Sequence, residues 1–232
     1  MFYNFSFSRL SRVSQAIIVF QTISKRIIHF RLDCPMIYNR RVKILVARSK
    51  EEIESACEKL SASAILGCDT ETSSLSARTG RLLSAQFSDG DFNVLVPISE
   101  GVALGKFTEI LENPQIIKIF HNAKFDLEFL RENGYQAQNI FDTMIAEKIL
   151  TRGANQSASL AETLYRYFAV DLEKSHRAKF NKSWDGVWTD ELVHYALSDV
   201  VYLPKLMREQ IAWLERLGLQ NEFAVQLKRV SQ

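Results

Sequence analysis

The chain has 232 residues, 47% of them hydrophobic and 24% charged, with a formal net charge of +2. This length suits one α/β domain with a full core and is too short for two ordinary domains joined by a linker. The small net charge disfavours a purely electrostatic nucleic-acid-binding module, and no apolar stretch approaches the roughly 18 residues of a membrane span.

Residues 1–41 differ in character from the rest of the chain. Residues 1–43 hold eight Lys or Arg side chains and one acid, so the other 21 basic and 26 acidic residues give a local balance of −5 (21 − 26). The segment is basic, rich in Ser and Arg, and carries apolar residues at helical spacing. Three interpretations stay open: an organelle-targeting presequence, a non-native extension before a true start at Met36, or a disordered basic arm. We assign residues 42–232 to one folded domain.

The cysteines indicate the redox environment. Cys34, Cys57 and Cys68 are an odd number and include no CxxC pair. This argues against a disulfide framework or a zinc site and favours a reducing compartment. We therefore expect an intracellular, cytoplasmic protein, or an organellar one if the N-terminal segment is a presequence.

Strands and helices are predicted from residue 42 onward. A strand over 42–47 precedes a helix that Ser49 opens, with Glu52 completing a capping box. A short apolar strand over 64–70 follows. The next predicted elements are a hairpin of strands 82–87 and 92–96, a helix around 106–111, a strand over 116–120 and a helix over 123–133 that stops at Gly134.

The C-terminal half is predicted to be mainly helical. Pro204 is tolerated there if one helix stops near Leu203 and Pro204 begins the next helix at its first position. Because the predicted hairpin cannot be parallel, the fold class is α/β, with a mixed sheet of five to six strands flanked by helices.

The first acidic motif lies at the end of the strand over 64–70. Asp69 and Glu71 are two residues apart, so their carboxylates share one face of a strand, about 6.6 Å apart along it. Two carboxylates therefore point toward one site. Taken alone, such a pair at a strand end is better explained as surface decoration.

The second motif begins a helix directly after an apolar strand. Asn122 takes the N-cap position and Asp126 lies in the first turn. The alternative is structural, with Asn122 capping the helix and Asp126 complementing its dipole.

The third motif pairs Tyr195 with Asp199. The two are four residues apart in a predicted helix, so they lie about one turn apart on one face. The alternative is a tyrosine packed in the core and an aspartate at its rim.

Together the acids of the three motifs predict a metal site. Carboxylate oxygens are the hard ligands that Mg²⁺ or Mn²⁺ prefers, and four clustered carboxylates repel one another unless cations neutralise them. Two such ions about 3.5 to 4 Å apart can activate a water and stabilise the leaving oxygen of a phosphodiester. The predicted ligands are Asp69, Glu71, Asp126 and Asp199.

The three motifs, in this order, resemble those of the DEDDy branch of the DnaQ-like 3′–5′ exonucleases, which have an RNase H-like fold. Asp69-Thr70-Glu71-Thr72 and Asn122-Ala123-Lys124-Phe125-Asp126 are similar to the proofreading domain of family A DNA polymerases. Tyr195-Ala196-Leu197-Ser198-Asp199 is similar to ribonuclease D. The resemblance covers about residues 42 to 220 and implies that residues 42–232 are a 3′–5′ exonuclease domain.

The resemblance also implies a role for each site residue. Asp69 would bridge two metal ions, Glu71 and Asp199 would complete the site of the ion that activates the nucleophile, and Asp126 would serve the second ion. Tyr195 would position the attacking water. The implied substrate-binding residues are Thr70, Leu75 as a wedge against the terminal base, and His121 and Asn122 near the terminal sugar and phosphate. A structural interpretation of His121, as a strand-end residue satisfied by the backbone, stays open.

The expected activity is the release of nucleoside 5′-monophosphates from a single-stranded 3′ end of DNA or RNA. A catalytically silent nucleic-acid-binding module and an endonuclease are the alternatives. A basic stretch is expected to grip backbone phosphates unless it is a solvated loop, and a protein partner or the N-terminal segment is expected to supply targeting. The stretch comprises Lys174, Arg177, Lys179 and Lys182.

Overall fold

The computed structural model describes residues 43–152, 154–172 and 176–230. The N-terminal segment 1–41 and Lys174 of the basic stretch therefore lie outside the described residues. No helix in the described ranges is long and apolar enough to cross a membrane.

The centre of the domain is a six-stranded mixed sheet with the order β1-β4-β3-β2-β5-β6. Strands β2, β3 and β4 are antiparallel neighbours, whereas β1 pairs parallel with β4, and β5 pairs parallel with β2 and β6. The strands are β1 (Lys43–Val46), β2 (Ile65–Thr72), β3 (Leu82–Ser88), β4 (Phe92–Val96), β5 (Ile117–Phe120) and β6 (Ile140–Asp142). The predicted mixed sheet is confirmed, and so is the hairpin.

Helices cover both faces of this sheet. They are α1 (Lys50–Ser61), α2 (Phe107–Glu112), α3 (Ala123–Glu132), α4 (Thr143–Thr151), α5 (Leu160–Phe168), α6 (Asp190–Val201), α7 (Leu203–Arg216) and α8 (Gln220–Lys228), with short 3₁₀ helices at Ile98–Glu100 and Arg177–Lys179. One apolar core lies under α1, α2 and α3, and a second core lies under α4, α6, α7 and α8.

Local sequence signals account for several helix ends. At the start of α1 the Ser49 side chain accepts from the Glu52 backbone and the Glu52 side chain accepts from the Ser49 backbone, so the predicted capping box is confirmed. The predicted break between two helices is confirmed: α6 ends at Val201 and α7 begins at Leu203, which makes Pro204 the second residue of α7 and not its first. This break leaves Tyr195 and Asp199 together on α6.

Strand β6 was absent from the predicted elements. It has three residues, all buried, and pairs parallel with β5 at the edge of the sheet. So short an apolar run gives no periodicity that separates a strand from a helix. Its last residue, Asp142, becomes important at the site.

Candidate active site

Strand β2 carries two of the four predicted metal ligands. Asp69 stands opposite Gln86 and Glu71 opposite Ser84 in the antiparallel pairing with β3, so both acids lie on the same face of the sheet. The register shifts between Glu71 and Thr72, directly after the second acid. This end of β2 leads into the connection that carries Leu75.

Helix α3 supplies the third acid from the opposite face of β2. Asp126 lies in the first turn of α3 and is only 2% exposed. The Thr70 hydroxyl, itself buried, donates to Oδ1 of Asp126 at 2.6 Å. Thr70 therefore contacts a predicted metal ligand, while its predicted role in binding substrate stays a prediction.

Helix α6 supplies Asp199 and Tyr195, one turn apart. A glycine on β2 lets this helix come close to the first motif. A Cβ atom at Gly67 would collide with the carbonyl oxygen of Val200, the residue after Asp199. The absence of a side chain two residues before Asp69 is therefore what allows the Asp199 end of α6 to lie against β2.

Aromatic side chains surround Tyr195. Its ring packs against Phe180, with centroids 5.9 Å apart, and lies edge-on to His176 at 5.8 Å. Phe180 in turn packs on Trp188, whose indole N–H donates to Ser99 Oγ at 3.1 Å. A cleft of about 770 Å³ opens beside Tyr195, so a ligand can approach the tyrosine.

The electrostatics show that the four acids share one environment. Burial raises the pKa of Asp69 well above its usual range, and the charges of Asp126, Asp199 and Glu71 raise it further. Burial also raises the pKa of Asp126 to about 7, and the hydrogen bond from Thr70 opposes this rise. Asp126 is buried and the other three acids are half-buried, and carboxylates that repel one another in such a setting are the arrangement that a divalent cation would stabilise.

The donor set fits hard divalent cations. It consists of carboxylate oxygens, as Mg²⁺ and Mn²⁺ prefer. One more oxygen points to a polar occupant: Oε1 of Gln86, opposite Asp69, is buried without a hydrogen-bond partner among the described residues. Within the described residues, no group of three or more Asp, Glu, His or Cys side chains is arranged as a metal site.

Two of the predicted substrate-binding residues are exposed. Leu75, in the connection from β2 to β3, is 80% exposed. Asn122 is exposed at the start of α3 and has a left-handed backbone with φ of 74°. The expectation that its side chain caps α3 is wrong, because that side chain makes no capping hydrogen bond.

His121 is half-buried, and both of its ring nitrogens lie within hydrogen-bond distance of a partner. Its Nδ1 lies 2.9 Å from Thr143 Oγ1 and its Nε2 lies 2.9 Å from the carbonyl oxygen of Ala158. Burial lowers its pKa to about 4. These contacts agree with the structural interpretation of His121, and its predicted place near the terminal sugar stays a prediction.

Asp142 takes over the role expected of Asn122, and sequence reasoning missed it. Its carboxylate accepts from the backbone of Asn122 and Ala123, and it also caps α4. The capping of α4 could have been recognised from an Asp before the helical run 143–151. Its reach to α3 could not, since that contact joins residues about 20 positions apart.

The basic stretch is described only in part. Lys179 and Lys182 are exposed, and Nζ of Lys179 lies 4.0 Å from a carboxylate oxygen of Glu191. An ion pair this long and this exposed is weak, so the lysine can exchange the glutamate for a phosphate. The role of the stretch stays a prediction.

Comparison with known proteins relates the chain to 3′–5′ exonucleases and to ribonuclease D. A family model described as 3′-5′ exonuclease matches residues 45–210. Ribonuclease D of Bartonella henselae is 30% identical over 197 residues, which are 82% of this chain and 47% of that protein. The chain thus spans about half the length of this curated relative.

Solved structures support the same fold. Brucella melitensis NrnC with bound Mg²⁺ is 28% identical, with a TM-score of 0.65 over 72% of this chain and 82% of that one. Escherichia coli RNase D is 24% identical, with a TM-score of 0.69 over 83% of this chain and 51% of that one, and it supports the fold alone. Because the family model spans the three acidic motifs and most of the chain, the protein belongs to the 3′–5′ exonuclease family.

Proposed function

We propose that the protein is a metal-dependent 3′–5′ exonuclease that releases nucleoside 5′-monophosphates from a single-stranded 3′ end. The observation that carries this proposal is the shared environment of Asp69, Glu71, Asp126 and Asp199, with Tyr195 one helical turn from Asp199. Family membership and the Mg²⁺-bound neighbour support a divalent cation as cofactor.

The four acids would hold two ions, either Mg²⁺ or Mn²⁺. When bound, such a pair supplies Lewis-acid stabilisation of the attacking and leaving oxygens of a phosphodiester. Asp69 would contact both ions, Glu71 and Asp199 would complete one site, and Asp126 would serve the other. The two-ion count is part of the proposal.

Tyr195 would orient the attacking water through its phenolic hydroxyl. The contacts of its ring with Phe180 and His176 limit where that hydroxyl can lie. Such preorganisation lowers the cost of reaching a reactive geometry. Leu75 and Asn122, both exposed, are the residues we propose to contact the terminal nucleotide.

RNA is the first substrate to test, because the curated relative matched over 82% of this chain is a ribonuclease D. DNA stays a candidate, since DNA polymerase I of Borreliella burgdorferi is 30% identical over 144 residues. Single-strand recognition through stacking and backbone contacts does not by itself separate the two.

Matched RNA and DNA oligonucleotides, each linear or circular, test the proposal in the presence of Mg²⁺ or Mn²⁺. Shortening of the linear molecules only is expected. Cleavage of a circle would favour an endonuclease, and binding without any cleavage would favour a silent binding module.

We also propose an intracellular, reducing location, with residues 1–41 as an organellar presequence in the alternative case. Cys57 and Cys68 are buried free thiols, which supports a reducing compartment. Fusion of residues 1–41 to a fluorescent reporter separates the alternatives: organellar import supports the presequence, and diffuse signal contradicts it.

A further inference from the structure

The turn from β5 to α3 has an unusual backbone at its exposed residue. Asn122 has φ of 74°, in the left-handed region that residues other than glycine seldom adopt. Asparagine adopts this conformation more readily than most residues, and contacts with the surrounding structure can fix it. The contacts that hold this turn are therefore of interest, since Asn122 is exposed and Asp126 lies one turn further along α3.

One buried carboxylate, at the end of β6, accepts hydrogen bonds from this turn. Asp142 is 1% exposed, and its Oδ2 accepts from the Ala123 backbone at 2.8 Å. Its Oδ1 accepts from the backbone of Asn122 at 3.2 Å and also from the backbone of Met144 and Ile145 in α4. A single side chain thus ties the starts of α3 and α4 together.

The next residue reaches the same turn. Thr143 is fully buried, and its hydroxyl donates to the carbonyl oxygen of Phe120 at 3.1 Å. Thr143 Oγ1 also lies 2.9 Å from Nδ1 of His121, and Nε2 of the same ring lies 2.9 Å from the Ala158 carbonyl oxygen. Asp142 and Thr143 together contact four consecutive residues, from Phe120 to Ala123.

We propose that Asp142 and Thr143 are positioning residues for the exonuclease site. They hold the β5–α3 turn so that the exposed side-chain amide of Asn122 contacts the terminal nucleotide of the substrate. Neither is a predicted metal ligand, and neither contacts the substrate in this account. The inference rests on the proposed function for its substrate, whereas the contacts themselves are independent of it.

Asp142→Asn separates the two duties of the carboxylate. Asparagine caps helices as well as aspartate does, so its oxygen can keep the bonds to α4. Its NH₂ group then faces the Ala123 N–H and cannot accept from it, which leaves a buried donor without a partner. Thr143→Val removes the hydroxyl at nearly constant shape, and Thr143→Ser restores it. Ser49→Ala, which removes the side-chain cap of α1, is the matched control, since that cap bonds Glu52 and not this turn.

The test is a double-mutant cycle between Asp142→Asn and Asn122→Ala. Affinity for a fluorescent single-stranded RNA oligonucleotide is measured in an Asp69→Asn background that prevents turnover. We expect each single substitution to weaken RNA binding about tenfold. The double variant should bind as tightly as either single variant, because the two substitutions act on the same contact. Multiplied effects, or unchanged binding in Asp142→Asn, would overturn the proposal.

Two further measurements keep the outcome interpretable. Hydrogen exchange should accelerate at the Ala123 amide of Asp142→Asn while the Ile145 amide stays protected. If the Ala123 amide is as well protected in this variant as in the wild type, the proposed hold of Asp142 on the turn is contradicted without reference to any substrate. If Asp142→Asn fails to fold, loss of affinity in Thr143→Val with recovery in Thr143→Ser takes its place, and equal affinity in the two contradicts the proposal. Failure of the wild-type chain to bind or shorten the oligonucleotide would instead count against the proposed function.

Discussion

The hydroxyl of Thr70 on β2 donates to Oδ1 of Asp126 on α3 at 2.6 Å. The bond joins the first acidic motif to the second from the face of β2 opposite to Asp69 and Glu71. It fixes one carboxylate oxygen of a buried acid, and so it decides which way the other oxygen points. The two motifs are thereby coupled through a neutral side chain.

Removal of this hydroxyl should disturb the metal site more than the fold. In Thr70→Val the buried Asp126 loses its donor at nearly constant side-chain shape, and we expect a loss of about 1 to 3 kcal/mol in the free energy of unfolding. The Mg²⁺ concentration needed for half-maximal activity should rise. Isothermal titration calorimetry with Mg²⁺ measures the corresponding loss of affinity, and Thr70→Ser should recover most of that affinity. Equal Mg²⁺ affinity in the Val and Ser variants would show that the bond does not orient Asp126.

A methyl group at Gly67 should separate α6 from β2. The Cβ of Gly67→Ala would collide with the Val200 carbonyl oxygen and crowd Leu203, and backbone cannot move aside cheaply. We expect a loss of about 1 to 3 kcal/mol in unfolding free energy, together with lower activity because Asp199 moves away from Asp69. Chemical denaturation and oligonucleotide cleavage measure the two effects. Gly101→Ala is the control for spare volume, since no atom lies within 4 Å of its Cβ position, although its φ of 83° adds strain of its own. A Gly67→Ala protein as stable and active as the wild type would contradict the close approach.

The stabilisation by metal should grow with pH. Burial and neighbouring charges raise the pKa of Asp69, and burial raises the pKa of Asp126 to about 7, so the metal-free folded state binds more protons than the unfolded chain above about pH 4. Their contribution to stability is therefore present below the unfolded pKa and is lost as pH rises through about 7. Bound Mg²⁺ would neutralise the carboxylates and remove this loss.

Differential scanning fluorimetry in EDTA and in Mg²⁺, at pH 5 to 8, measures this effect as a difference in Tm. Burial lowers the pKa of His121, so its contribution to stability falls as pH decreases. This contribution is common to the EDTA and Mg²⁺ samples and cancels in the difference between their Tm values. We expect the gain in Tm from Mg²⁺ to be larger at pH 8 than at pH 5. A gain that is independent of pH would mean that the raised carboxyl pKa values are not those of the metal site.

The hydroxyl of Tyr195 should matter for turnover and little for binding. Tyr195→Phe keeps the ring contacts with Phe180 and His176 and removes only the group proposed to orient water. We expect kcat to fall about 10- to 100-fold with little change in KM or Tm. Steady-state cleavage of a labelled oligonucleotide measures both constants. Tyr165→Phe, at an exposed tyrosine on α5, is the control and should be silent. An unchanged kcat in Tyr195→Phe would remove the tyrosine from the mechanism.

The parts of the site that depend on local sequence were predictable. The spacing of Asp69 and Glu71 indicated a shared strand face, and the spacing of Tyr195 and Asp199 indicated one face of a helix. The position of Pro204 indicated where that helix stops. Each of these signals acts over a few residues, where the period of a strand or helix determines direction.

The contacts that complete the site were not predictable from spacing. Asp142 reaches Ala123, and Gly67 admits Val200, only because the sheet order brings distant segments together. Asn122 was expected to cap α3 because asparagine favours that position. The tertiary contact from Asp142 supplied the acceptor instead and left the Asn122 side chain exposed.

The central claim is that the four acids cut nucleic acid from its 3′ end. Its most direct test follows a 5′-labelled single-stranded RNA in Mg²⁺ with the wild-type protein and with Asp69→Ala, resolving products at single-nucleotide steps and identifying the released nucleotide. We predict a ladder that shortens from the 3′ end with release of nucleoside 5′-monophosphates, and at least ~100-fold slower shortening in Asp69→Ala, on the order of the loss seen when one preorganised electrostatic group is removed from an active site. Shortening at an equal rate in Asp69→Ala, or none by the wild-type protein on RNA or DNA with either ion, would contradict the claim.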